Sequence, residues 1–500
     1  MLLASYDLAP YNGTMAKKNI IGRKKELTLL DEIHHSKEAE FLAIYGRRRV
    51  GKTHLIQEYF SSKGCYLEIT GQKQAPLREQ LENFITIFSA QFSNGIPFRT
   101  PKSWKEAFAL ITNQLDHLPK TRKCILFLDE LPWLAGPRSG LMQALDYYWN
   151  RHWSRYPNFR LIVCGSAASW MLDHLINARG GLHNRITRVI LLRPFSLNGA
   201  IAFLRHRGIN LSIKQFCDLY MVCGGVPYYL KQITKARSAM QNINRICFQK
   251  EGILHSEFDR LFSSLFDSSD LHRRIVTFLA THPKGILRKE IINKLEISSG
   301  GSLRKRLDEL EAAGFIQGYI PYGNKKKFQS YRLVDEYILF YLHWIAPIKQ
   351  RGLKIGPSYW QTKAQTSAVH AWAGGAFEMI CLKHVDEIQK ALELEGIHAE
   401  IGSWRYVPKK GSRNAGAQID LLFDREDGIV SLCEIKYSDK KYPITKSYAK
   451  ELKQKLEVFE AHFPGKKAIA LTMITLHGLK PTIWSDELVE DEIVFSALIH

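Results

Sequence analysis

The chain reads as α/β, with a phosphate-binding parallel sheet first, a basic helical module in the middle and a second α/β unit at the C-terminus. Three observations predict this order. Gly46-Arg47-Arg48-Arg49-Val50-Gly51-Lys52-Thr53 matches G-x-x-x-x-G-K-[ST] between an apolar run and a helical pattern. Three helical patterns and a basic hairpin occupy residues 271–333. An Asp followed at a distance by Glu-x-Lys, on two strand-like runs, lies between 417 and 436.

Five hundred residues exceed what one core usually supports, so about three domains are expected. The 45% hydrophobic and 24% charged residues fit a globular chain. The 70 Lys and Arg against 49 Asp and Glu leave a formal charge of +21, which favours a polyanionic partner, nucleic acid before an anionic membrane. Eight cysteines are scattered without a C-x-x-C pair, so they suggest small core residues in a reducing cytoplasm rather than zinc ligands or disulfides. No apolar run reaches membrane-spanning length, and Met1–Tyr11 lacks the charge-then-apolar order of a signal peptide. Residues 1–14 form an N-terminal extension, with Met15 as an alternative start.

Phe41–Tyr45 is a short apolar run, and Thr53–Phe60 has helical periodicity. The glycines of the intervening loop let backbone N–H groups close around an anion at a helix N-terminus. Lys52 can reach the outer phosphates of a nucleotide such as ATP, and the Thr53 hydroxyl can hold Mg²⁺. Cys124–Leu128 then delivers Asp129 and Glu130 to the C-terminal edge of a buried strand. Asp129 is suited to support the metal, and Glu130 to polarise the attacking water. A further strand, Arg160–Gly165, ends at Ser166, which can contact the γ-phosphate or the water, or cap a helix over Ala167–Leu175.

These pieces resemble the AAA+/STAND class of P-loop NTPases, most closely its archaeal-type ATPase family, over most of residues 19–265. Ile20-Ile21-Gly22-Arg23 with Lys24–Leu27 is similar to the segment that packs beside the adenine. Gly224-Gly225-Val226-Pro227-Tyr228-Tyr229 is similar to the Gly-x-Pro element of a small helical lid, whose proline closes over the nucleotide. The segment Gly180–Arg185 departs from the family pattern but keeps an arginine at Arg185, either phosphate-sensing or in a surface ion pair. The resemblance therefore implies an ATPase core with its lid over 15–265.

Asp267–Asp270 is a polar break. Leu271–Thr281, Leu287–Leu295 and Ser302–Ala313 follow with helical spacing, then strand-like Phe315–Tyr319 and Phe328–Leu333 around a Lys-rich turn. This order over 270–345 suggests a winged helix-turn-helix. Leu303, Leu307 and Leu310 form the apolar face of the third helix, leaving Arg304, Lys305 and Arg306 for a DNA backbone or groove. Residues 271–350 hold 14 Lys and Arg against 7 Asp and Glu. Protein docking by the same module is the alternative.

In 370–500, Asp420 ends Ala417–Asp420, and the turn Arg425–Gly428 leads to Ile429–Lys436. Glu434 and Lys436 are two apart and face the same way. Two carboxylates can hold Mg²⁺ while a lysine orients or deprotonates water beside a scissile phosphate. Phe377-Glu378 is expected to open a helix carrying another ligand, and Lys446, Lys450, Lys453 and Lys455 line a later one before the strand Lys467–Thr472. The order resembles the PD-(D/E)XK nuclease fold, a restriction-endonuclease-like α/β domain. Gly374–Glu378 matches the start of a domain often fused to archaeal-type ATPases. The resemblance implies catalytic Glu378, Asp420, Glu434 and Lys436, with Asp420 and Glu434 at the metal.

The leading expectation is an ATPase regulating a Mg²⁺-dependent nuclease on DNA. A nucleotide-dependent switch or scaffold without cleavage is the alternative, and a transport ATPase ranks last. A cytoplasmic location, no membrane and room for a homo-oligomer complete the expectation.

Overall fold

The computed structural model describes residues 20–499 except 94, 97, 178–180, 183, 267, 298–300 and 409–414. The expected extension 1–14, Met15, Gly180, His183 and Asp267 lie outside the described residues. The chain divides into two compact units, one ending at Arg193 and one beginning at Pro194. This boundary falls inside the 15–265 segment, so its residues from 194 onwards, including Gly224–Tyr229, pack with the C-terminal half.

The first unit is built on β1 (Glu40–Tyr45), β2 (Cys65–Thr70), β3 (Cys124–Asp129), β4 (Phe159–Gly165) and β5 (Arg188–Leu191), all parallel, in the order β2-β3-β4-β1-β5. The strands read as continuous apolar runs because both faces are covered. Phe41, Ala43, Leu126, Leu128, Leu161 and Val163 face one core. Leu42, Ile44, Ile125, Phe127 and Ile162 face the other, against Leu55, Ile56, Tyr59 and Phe60. The switch in strand direction of travel, between β1 and β4, is where such sheets bind ligands.

One charged side chain braces this sheet from below. Arg160 on β4 is fully buried and pairs in register with Glu40 on β1. Its guanidinium donates to the carbonyl oxygens of Ile33 (2.6 Å), Glu38 (2.9 Å), Pro157 (3.0 Å), Phe159 (2.8 Å), His34 (3.3 Å) and Ser36 (2.6 Å). These carbonyls belong to the end of helix Lys24–His35, the turn into β1, and the approach to β4. A planar fork of five donors suits this task, which a lysine could not perform.

In the second unit, β6 (Ile286–Leu287), β7 (Ile316–Tyr319) and β8 (Ser330–Leu333) form an antiparallel sheet, β6-β8-β7. The helices Asp270–Ala280, Arg288–Leu295 and Gly301–Ala312 match the three expected patterns. Leu303, Leu307 and Leu310 are buried, whereas Arg304 and Lys305 are exposed and Arg306 is bound to Glu309 at 2.8 Å. The last strand is shorter than expected because Lys326–Phe328 forms a 3-10 turn.

The C-terminal sheet has β9 (Ala399–Tyr406), β10 (Ala417–Arg425), β11 (Ile429–Lys436), β13 (Ala468–Thr475) and β15 (Asp491–Val494) in the order β15-β13-β11-β10-β9. The short pair β12 (Tyr442–Pro443) and β14 (Leu479–Lys480) stands apart. β9, β10 and β11 are antiparallel neighbours, whereas β13 and β15 run parallel to β11. Helix Ser367–Lys383 packs Phe377, Ile380 and Cys381 into one core with Leu421, Phe423, Cys433 and Ile435. Helix Lys446–His462 covers the other face, with Phe459 against Leu422, Val430 and Leu432. All eight cysteines are buried and free, as their apolar settings predict.

Replacing Arg160 by Met should remove the guanidinium from six carbonyls, of which Ser36 O and Pro157 O keep Lys123 Nζ as a donor. We expect a loss of about 3–5 kcal/mol, the range for breaking a buried charged network, read from the urea midpoint; an unchanged midpoint would contradict the bracing role.

Candidate functional sites

The phosphate loop leaves β1 at Gly46, whose φ of +143° favours glycine. A Cβ here would stand 2.3 Å from the Leu192 carbonyl oxygen, so only glycine lets the loop pass the end of β5. Arg49 and Gly51 also have positive φ, 73° and 90°, and the second precedes helix Lys52–Phe60. Arg47 and Val50 are buried, whereas Arg48 is half-buried. Arg23, from the segment expected beside the adenine, donates to Val50 O (3.0 Å) and Arg193 O (2.8 Å), tying the loop to the chain leaving β5.

Lys52 is 5% exposed, and its ammonium fills the loop. It donates to Gly46 O (2.9 Å), Arg47 O (3.0 Å) and Ser166 Oγ (3.1 Å). The Thr53 hydroxyl donates to Asp129 Oδ2 at 2.9 Å. Asp129 Oδ1 is buried without a hydrogen-bond partner, and burial pushes the carboxyl pKa up. A free carboxylate oxygen beside a threonine hydroxyl at a phosphate loop fits Mg²⁺, which takes hard oxygen ligands.

Glu130 follows in the left-handed region, at φ 50°, a strained placement for a non-glycine residue next to a strand end. Its Oε1 accepts from Ser166 Oγ (2.6 Å) and its Oε2 from Ser166 N (3.1 Å). Ser166 thus joins Lys52 to Glu130. It does not cap a helix: Ala167 holds that position, and the expected helix over Ala167–Leu175 becomes an α-turn, Ala168–Met171, running into a π-helix, Leu172–Ile176. Arg185 is exposed in a turn closed on Leu182 O and makes no ion pair among the described residues. Pro227 opens helix Pro227–Leu230 in the second unit.

A second polar cluster forms on the C-terminal sheet. A register shift between Ile419 and Leu422 puts a bulge at Asp420, a device that re-aims side chains beside functional sites. Asp420 Oδ2 accepts from Ile435 N at 3.2 Å. Lys436 Nζ lies 3.4 Å from Glu434 Oε2, on the shared face that their spacing implies. Glu378 does not open its helix; it sits well inside Ser367–Lys383, because Ala373, Phe377 and Ile380 keep the helix buried through Gly374 and Gly375.

Two residues not anticipated as site members complete the cluster. Lys455 Nζ donates to both oxygens of the fully buried Glu434, at 2.9 and 2.8 Å, and Tyr448 OH donates to Oε2 at 3.2 Å. Lys455 was visible only as one of several lysines along helix Lys446–His462. Burial and the Asp420 charge push Glu378 up to about 7, against Lys284, Lys436 and Arg332. Burial and Glu434 likewise raise Asp420. Among the described residues no group of three or more His, Cys, Asp or Glu side chains stands close enough to hold a metal. Asp420 and Glu434 are close enough for the Glu434 charge to raise the Asp420 pKa, and both Glu434 oxygens are engaged by Lys455.

The raised Glu378 pKa has a defined sign. Its folded value lies above the ordinary 4.5, so the folded state holds an extra proton between about pH 4.5 and about pH 7. That stability is present below 4.5 and lost as pH rises through 7. In chelator, Glu378→Gln should unfold about 1–3 kcal/mol later than wild type above neutrality, with the gap closing near pH 4.5. A pH-independent gap would contradict the assignment.

Residues 20–233 match the family model described as an ATPase domain predominantly from Archaea. The chain is 23% identical over 461 residues to an uncharacterized protein, MJECL04, of Methanocaldococcus jannaschii, covering 89% of this chain and 95% of that one. It is 42% identical over 43 residues to the uncharacterized ATP-binding protein MJ0423 of the same organism, 9% of this chain and 73% of the relative. Among solved structures, the Walker-type ATPase paby2304 of Pyrococcus abyssi aligns with a TM-score of 0.49 at 17% identity, covering 67% of this chain and 99% of that one.

Proposed function

We propose, from the archaeal ATPase domain in residues 20–233, that this chain hydrolyses ATP and that its nucleotide cycle governs a DNA-binding, Mg²⁺-dependent phosphodiester-cleaving C-terminal half. The observation that carries the ATPase reading is the Lys52 ammonium held by loop carbonyls and Ser166, next to the unpartnered Asp129 Oδ1.

On ATP binding, the N–H groups of residues 46–53 cradle the phosphates, and Lys52 exchanges carbonyl oxygens for β- and γ-phosphate oxygens. Thr53 and Asp129 would hold Mg²⁺, which supplies charge neutralisation at the transferring phosphoryl group. Glu130 leaves Ser166 and accepts a proton from water as the water oxygen bonds to the γ-phosphorus. The bond from that phosphorus to the bridging oxygen breaks, and ADP and phosphate leave. Ser166 positions Lys52 and Glu130 around this step. Arg185, exposed, is free to meet the γ-phosphate, and Pro227 belongs to the lid.

In the C-terminal half, the order helix, strand, two helices and hairpin over 270–333 supports a winged helix-turn-helix. Asp420, Glu434, Lys436 and Glu378, clustered at a bulge, support the nuclease reading. Asp420 and Glu434 would hold the metal, Lys436 would orient the water, and Glu378 would act through Asp420. One observation favours the switch reading, in which this fold binds without cutting: Lys455 engages both oxygens of Glu434. No helix of the described residues is long and apolar enough to cross a membrane.

The test is steady-state ATP hydrolysis and DNA cleavage by the full chain. Lys52→Ala should lose nucleotide binding. Glu130→Gln should keep binding while hydrolysis falls about 100-fold or more, the usual loss of a general base. Glu434→Ala should abolish cleavage of labelled DNA and leave ATP hydrolysis unchanged. Wild-type hydrolysis rates in Glu130→Gln would overturn the ATPase assignment, and wild-type cutting by Glu434→Ala the nuclease one.

A further inference from the structure

The middle module does not stand apart from the C-terminal sheet. The tip of its hairpin docks on that sheet: Tyr322 N donates to Ser403 O at 2.8 Å, and Tyr322 OH to Asp424 Oδ2 at 2.5 Å. The turn between helix Asp270–Ala280 and β6 is pinned in the same region, because Tyr319 OH donates to Lys284 O at 2.5 Å. Lys284 is thereby held with its side chain exposed and its ammonium 2.7 Å from Gln418 Oε1, two residues before Asp420. From the same module, Arg332 forks onto Gln317 Oε1 at 3.1 and 2.8 Å and lies 4.6 Å over the Tyr319 ring. The charges of both Lys284 and Arg332 act on the Glu378 carboxylate.

The charge balance is informative. Three carboxylates, Glu378, Asp420 and Glu434, are met by four cations, Lys284, Arg332, Lys436 and Lys455. Lys436 and Lys455 are spent on Glu434, and Arg332 on Gln317 and Tyr319. Lys284 is different. It makes no ion pair among the described residues, although carboxylates stand nearby, and its partner is a neutral amide. An amide–ammonium bond at an exposed position is readily exchanged for an anion. Gln418 also lines a groove of about 340 Å³ with Arg405, Tyr406, Gln454 and Lys455. The groove combines cationic, amide and aromatic groups, the set that single nucleic-acid strands use, and the acid that also lines it, Glu451, lies 3.7 Å from Lys455 Nζ.

We propose that Lys284 is a phosphate-binding residue of a composite site, in which a polynucleotide strand runs across the seam between the middle module and the C-terminal sheet. The phosphate beside the carboxylate cluster rests on Lys284, and the adjoining nucleotide lies in the groove of Arg405, Tyr406 and Gln454. The module is then one wall of the C-terminal site, not a separate reading head. This inference rests on the nucleic-acid reading of the C-terminal half.

The experiment measures binding of fluorescein-labelled single-stranded DNA and RNA oligonucleotides to the full chain in chelator, across a salt series, with cleavage in Mg²⁺ assayed separately. Lys284→Ala should weaken binding about 3- to 10-fold at low salt and reduce the log–log salt slope by about 0.7, the value of one single-strand phosphate. Lys284→Arg should restore both. Unchanged thermal unfolding of Lys284→Ala would show that the fold is intact. Wild-type affinity and slope in Lys284→Ala, or no binding of any oligonucleotide by wild type, would overturn the proposal. Binding with the expected slope change but no cleavage by wild type would support the Lys284 contact while refuting the nuclease reading.

Discussion

An ammonium group taken out of water must find oxygen atoms to hold, and Lys52 finds them in the backbone of its own loop. Two main-chain carbonyls and the Ser166 hydroxyl coordinate it, with no carboxylate in contact among the described residues. Charge without a paired anion in a buried position is costly. The cost is lowered when an anion replaces the carbonyls, so the loop is primed for phosphate. The rest of the first unit serves this arrangement. Gly46 lets the loop pass Leu192, Arg23 ties Val50 to the chain after β5, and Arg160 anchors the strands that present both edges. Ser166 then links the cation to Glu130, so a change at the phosphates reaches the acid that would handle water.

The C-terminal half applies the reverse logic. There the buried charges are carboxylates, and cations gather around them from four separate elements. Lys436 comes from β11, Lys455 from helix Lys446–His462, Arg332 from β8 and Lys284 from a turn. Asp420 is turned by its bulge into a position where the Ile435 N–H can support it. Residues 194–265 belong to the same compact unit. Tyr437, the residue after Lys436, donates to Asp218 Oδ1 in helix Ile213–Cys223 at 3.1 Å. Tyr220 of that helix lies 3.1 Å from His384 Nε2, just past the helix of Glu378.

Much of this was legible in the sequence, for local reasons. Continuous apolar runs marked β1, β3 and β4, since a doubly covered parallel sheet leaves no polar alternation to blur them. The phosphate loop was legible because its glycine spacing is a backbone requirement. The three helices and hairpin of 270–333 showed through leucine spacing, which burial of Leu303, Leu307 and Leu310 explains. What stayed hidden depends on distant partners. Ala399–Tyr406 is an edge strand with little burial, so it lacks a strong pattern. Phe377-Glu378 reads as a helix start, yet tertiary packing carries the helix from Ser367 through Gly374 and Gly375. Lys455 and Lys284 look like ordinary surface lysines until folding sets them against Glu434 and Gln418. The boundary at Arg193 has no compositional mark, because contacts rather than a linker define it.

The most direct measurement is a structure of the full chain with Mg²⁺ and a non-hydrolysable ATP analogue. The account predicts that Lys52 Nζ leaves the Gly46 and Arg47 carbonyls for phosphate oxygens, and that Asp129 Oδ1 gains a metal-bound water or the metal itself. Glu130 should move off Ser166 toward the γ-phosphate. A bound nucleotide with Lys52 still on the two carbonyls, or with Asp129 Oδ1 still bare, would contradict it.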